Sequence, residues 1–168
     1  MKTIYIGFSR HKRFAIGSWA IQKFMNKPFS HTYFKFKEEK YTDHTIFHAV
    51  GKGMIYVAEM TFLEKNEIVA EFAIHISDEL FDELLQDCHK NASRKYGYLQ
   101  NLGVVIVRWA AKIGIKMKKN PINDGINCSE WIWWILQEVE GKWTETEPNL
   151  VGPDECYNYL VGRYKSSI

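Results

Sequence analysis

The chain reads as an α+β domain in which an antiparallel sheet packs against helices. Three observations carry that reading. Residues 29–37 alternate strictly, with Phe29, His31, Tyr33, Lys35 and Lys37 on one side and Ser30, Thr32, Phe34 and Phe36 on the other, the period of a strand. Short β-rich runs separated by turn residues follow, and helical periodicity then takes over from Ser77 to the end. Strands first and helices after is an α+β order, whereas alternation of the two would predict a parallel sheet.

The elements follow in chain order. Residues 3–8 are β-rich. Phe14 to Phe24 places Ile16, Ala20, Ile21 and Phe24 at helical spacing, and Pro28 ends that region because it lacks the N–H a helix needs. Phe29 to Lys37 is the second strand, with Glu38 to Lys40 as its turn. Residues 44–50 and Met54 to Glu59 are two further strands around the turn Gly51-Lys52-Gly53, and 67–76 is another. Ser77 caps a helix from Asp78 to about Lys95, and Leu102 to Lys116 reads as the next, with Arg108, Lys112 and Lys116 at i, i+4 spacing. A helix from Cys128 to Val139 is stopped by Gly141, and Pro153 opens a last short one, where its missing N–H is harmless.

A length of 168 residues suits one domain, 1–168, and 46% hydrophobic with 15% aromatic content excludes disorder. A formal charge of +2 gives no global argument for nucleic acid, and none is expected as a partner. Cys88, Cys128 and Cys156 are odd in number and widely spaced, unlike a disulfide framework, and without CxxC a structural zinc site is not expected. Neither a signal peptide nor a run of roughly 20 apolar residues is read, so the default compartment is cytoplasmic, with a virion as the alternative. The apolar stretch 102–119 with its cationic stripe fits either a helix covering the core or peripheral contact with an anionic membrane. No cofactor is expected.

Asn127-Cys128-Ser129-Glu130-Trp131 is the segment with most chemistry in it. Asn127 is a good N-cap, Glu130 answers three residues later as a capping box, and Cys128 becomes the first helical residue. Free N–H groups and the positive end of the helix dipole favour a thiolate there. Thiol catalysis also needs a base and a group to orient it. His31 on a strand is the candidate base. His48 on the next strand is the candidate third residue, since hairpin neighbours lie roughly 5 Å apart. His44 shares the face of His48 and rivals it. A zinc site from His31, His44, His48 and Cys128 has no known short spacing.

Phe29-Ser30-His31-Thr32, Ile46-Phe47-His48-Ala49-Val50, Lys95-Tyr96-Gly97-Tyr98, Asn127-Cys128-Ser129-Glu130-Trp131 and Val151-Gly152-Pro153-Asp154-Glu155, in this order, resemble the circularly permuted NlpC/P60 papain-like superfamily, especially its YiiX-like branch. The resemblance spans about residues 28–160. It implies a papain-like fold and a cysteine hydrolase cleaving an amide or peptide bond, with Cys128 as nucleophile, His31 as base and then acid, and the Cys128 backbone N–H as one oxyanion donor. Tyr96 and Tyr98 are expected along the substrate cleft; Trp131 is expected either there or, with Trp133 and Trp134, filling the core behind its helix. In that branch the third residue is commonly Glu. His48 there is like the lecithin:retinol acyltransferase relatives, so an acyl-lipid substrate is the alternative. A non-catalytic module of bacteriophage type that keeps the fold is a third reading.

Overall fold

The computed structural model describes residues 1–95, 97, 100–122, 125–141 and 146–166, the side chains of 101 and 102 excepted. The fold is α+β. Five strands, β1 (Lys2–His11), β2 (His31–Phe36), β3 (Thr45–Val50), β4 (Gly53–Ala58) and β5 (Asn66–Ile76), form one antiparallel sheet in the order β4-β3-β2-β1-β5. Among the described residues six α-helices accompany it: α1 (Ile16–Met25), α2 (Glu59–Lys65), α3 (Asp78–Asn91), α4 (Gln100–Lys112), α5 (Cys128–Glu140) and α6 (Pro153–Val161).

Alternation along the strands sorts the residues between two faces. Phe34, Phe36, Phe47 and Ala49 join Ile4, Ile6 and Phe8 in the main core, which is closed by Phe81 and Leu84 of α3, Trp131 and Ile132 of α5, and Cys156 of α6. The opposite face carries His31, Tyr33, Lys35, Ile46 and His48. Tyr33 and His48 both pack on Phe62 of α2, at ring separations of 4.9 and 5.1 Å. Tyr33 also lies over Gly7, its partner across β1, where a Cβ would fall inside the phenol ring. Its hydroxyl donates to Glu71 at 2.8 Å. Lys35 is buried between Glu71 at 2.7 Å and Glu59 at 2.9 Å. Burial opposes its charge, but the hydrogen bonds to the two carboxylates prevail and hold its pKa above the usual lysine value.

Several expected boundaries move. Strand β4 ends at Ala58, and Glu59 opens α2, a short helix absent from the sequence reading. The Glu59 carboxylate, at the start of that helix, pairs with Lys35 at 2.9 Å. Helix α3 stops at Asn91 rather than near Lys95. Helix α4 stops at Lys112, two residues before Gly114 turns at φ 86°. The stripe Arg108, Lys112, Lys116 is therefore not one helical face. Arg108 instead clamps Asp154 of α6 with both oxygens at 2.8–3.0 Å. Gly53 takes φ 128° at the β3–β4 turn, a conformation closed to residues with a Cβ, and its backbone faces the Arg94 carbonyl.

Candidate active site

The capping box is formed. Asn127 Oδ1 accepts from the Glu130 N–H at 2.7 Å, and Glu130 Oε2 accepts from the Asn127 N–H at 3.4 Å. Gln100 Nε2 donates to the same Glu130 oxygen at 2.7 Å, tying the start of α4 to the start of α5. The Ser129 hydroxyl lies 2.8 Å from Asn127 Oδ1 and 2.8 Å from the Val151 carbonyl, so the segment before Pro153 is fastened behind Cys128. Five groups thus fix the backbone at Cys128. The backbone N–H groups of Cys128 and Ser129, at the helix start, are directed at the sulfur of Cys128 itself.

The sulfur's own surroundings differ from expectation in two ways. Cys128 is only 2% exposed, and burial raises its thiol pKa against the opposing effect of the Thr32 backbone N–H and hydroxyl. A preformed thiolate, expected from the helix dipole alone, is corrected to a neutral thiol, because desolvation outweighs a dipole worth about 1 kcal/mol. The direct sulfur–imidazole contact is corrected as well. Among the described residues no hydrogen bond joins Cys128 to His31 or His48, and the sulfur sits against Thr32, the residue after His31. Thr32 points to the α5 face and His31 to the other, so thiol and imidazole flank the start of β2 from two sides.

The two histidines do meet. His31 Nε2 and His48 Nδ1 are 3.0 Å apart, their rings edge to face at 5.2 Å. Burial lowers the pKa of His31 to about 4. Burial and then repulsion from His31 lower that of His48 to about 3. Both imidazoles are neutral at pH 7, so each keeps a ring nitrogen able to accept a proton. With Nε2 engaged by His48, Nδ1 is the His31 nitrogen without a described partner. His44 is not beside them. Its ring packs on Tyr5 at 5.6 Å, and its Nδ1 lies 3.2 Å from Glu59. Histidines 31 and 44 thus serve separate clusters, which removes the four-residue zinc reading. Asp43, His44 and Glu59 bring ligand atoms within 4.8 Å of one another, but the Lys35 ammonium already neutralises Glu59.

A cleft of about 850 Å³ opens at the end of the sheet where β1 and β3 finish and β2 starts. His31 and His48 line it together with Ala20, Ile21 and Phe24 of α1, Phe62 of α2 and Val105 of α4. Its walls are mostly apolar, and among the described residues no Asp or Glu lines it. Trp131 is not in this cleft. It is 4% exposed, stacked on Trp134 at 5.2 Å and set against Phe47, so its expected substrate role is corrected to a core role. Tyr96 and Tyr98 lie outside the described residues. Thr32 is the neighbour that the sequence reading missed. Strand alternation was the available signal, since it assigns Thr32 rather than His31 to the helix face.

No protein-family model matches the chain, and no curated protein aligns with it significantly. No helix among the described residues is long and apolar enough to cross a membrane.

Proposed function

We propose that the chain is a papain-like cysteine hydrolase of the permuted type, using Cys128, His31 and His48 on an amide or peptide bond. The observation that carries this reading is the 3.0 Å contact between His31 Nε2 and His48 Nδ1, made at the strand end to which the capped start of α5 brings Cys128. When His31 Nε2–H donates to His48, the His31 Nδ1 lone pair is the base. In papain-like chemistry that nitrogen takes the thiol proton as sulfur attacks the carbonyl carbon. The oxyanion gains the Cys128 N–H as a donor. His31 returns the proton to the leaving amine, and a water activated by the same nitrogen cleaves the thioester to acid and thiol. In the resting geometry sulfur and ring stand on two sides of β2, so the ring must turn toward the sulfur as substrate binds. Catalytic contacts often tighten only in the complex.

The apolar lining of the cleft favours a second reading within the same chemistry, an acyl ester or thioester whose chain occupies the groove between α1 and Phe62. A panel of fluorogenic peptide amides and acyl esters separates the two. Turnover of either class, lost in Cys128→Ala and reduced about 100-fold or more in His31→Ala, supports the hydrolase. Failure of both classes under all conditions, with a folded protein, leaves a non-catalytic module.

A further inference from the structure

The cleft is roofed by an unusual helix. Six of the ten residues of α1 are exposed and Met25 is its one buried residue, yet the helix carries a single charge, Lys23. Phe14 just before it is 78% exposed, Ile16 is 74% exposed and Trp19 is 50% exposed. Across the cleft, Val105 of α4 contributes to the wall, and Trp109, one turn further along the same stripe, is 61% exposed. Eight of the twelve exposed large hydrophobic side chains among the described residues fall within 14–24 and 106–115. Water-facing apolar groups at this density mark a surface that is covered in use.

Charge identifies the cover. The chain has 20 acidic residues, yet residues 1–37 contain none and residues 88–123 contain none. Those two acid-free runs hold both apolar clusters. Their exposed cations, among them Arg13, Lys23, Lys112, Lys116 and Lys119, stand around the aromatic side chains without acidic neighbours in sequence. Exposed aromatic and aliphatic groups on segments that carry Lys and Arg but no Asp or Glu of their own match an anionic lipid–water interface; of the α4 cations, Arg108 is paired with Asp154 and Glu155 and is not counted among the exposed ones. A second copy of the chain would face the same positive field and be repelled. With ten residues, α1 is about 15 Å long, so it can lie in an interface but not cross one.

We propose that the α1–α4 face docks on the surface of an anionic membrane, placing the mouth of the His31–His48 cleft against the lipid. Docking extends the reading given above without requiring turnover, so Cys128→Ala must bind as the parent does, and a failed hydrolase assay leaves docking standing. The test is sedimentation of the full chain with vesicles of phosphatidylcholine alone and of phosphatidylcholine mixed in equal parts with phosphatidylglycerol. Binding to the anionic vesicles, little to the neutral ones, and loss in molar salt are expected. The double variant Trp19→Ala/Trp109→Ala should reduce partitioning about tenfold or more, and Arg13→Glu/Lys112→Glu comparably, with circular dichroism unchanged because these side chains touch little else. Absence of binding to either vesicle type overturns the proposal. So does equal binding to both, or parental binding by the two double variants. Concentration-dependent dimerisation abolished by Trp19→Ala/Trp109→Ala also overturns it, assigning the face to a second copy.

Discussion

Strand β2 has two faces that do different work. On the α5 side Phe34 and Phe36 are buried in an aromatic core with Trp131 and Phe81, where stability comes from apolar area and packing. On the other side the same strand presents His31, Tyr33 and Lys35, each hydrogen-bonded to a titratable partner, and opens into the cleft. The apolar face holds the scaffold still, while the polar face carries the groups that can exchange protons. Cys128 is the exception: a thiol placed on the apolar face, with its pKa raised in consequence.

Truncation on each face sharpens the contrast. Phe34→Ala empties a fully buried aromatic site and should cost about 3–5 kcal/mol in chemical denaturation. Lys35→Ala removes the ammonium that neutralises Glu71 and Glu59 and should cost a similar amount, about 3–5 kcal/mol, whereas the triple change Lys35→Met/Glu59→Gln/Glu71→Gln should recover much of the loss, since the two carboxylate charges are then removed with the ammonium. Failure of that recovery would mean the polar face is held by packing as the other one is.

Protonation acts on one face only. The folded pKa values of His31 and His48 lie at about 4 and about 3, below the value of 6.5 for a free histidine. Between these limits the unfolded chain binds more protons, so the histidines reduce stability as pH falls below about 6.5 and the loss levels off once the folded values are passed. Melting followed from pH 7.5 to 4 should show a decline that is smaller in His48→Phe. An identical slope in that variant would place the histidines in water rather than in a dry cluster.

Much of this arrangement was readable from residue order. The strict alternation of 29–37 placed β2, the Asn127–Glu130 pair placed the start of α5, and hairpin geometry put His48 beside His31. The rest depended on tertiary contacts. Helix α2 forms where Glu59 finds Lys35, a partner 24 positions earlier that no local pattern announces. The end of α4 is set by Gly114, and the tertiary pairing of Arg108 with α6 overrode its i, i+4 spacing with Lys112. Cap chemistry and the dipole speak only of local electrostatics, so they missed that the sulfur is buried and that Thr32, not His31, lies against it.

The central claim is that Cys128, His31 and His48 act as one unit. Mass-spectrometric rates of iodoacetamide alkylation at each cysteine, measured against pH in the parent, His31→Ala and His48→Ala, test it most directly. Faster alkylation of Cys128 than of Cys88 or Cys156 at neutral pH, slowed about tenfold or more in His31→Ala and less in His48→Ala, is the expected result. Equal slow labelling of all three thiols, unchanged by either substitution, would contradict it.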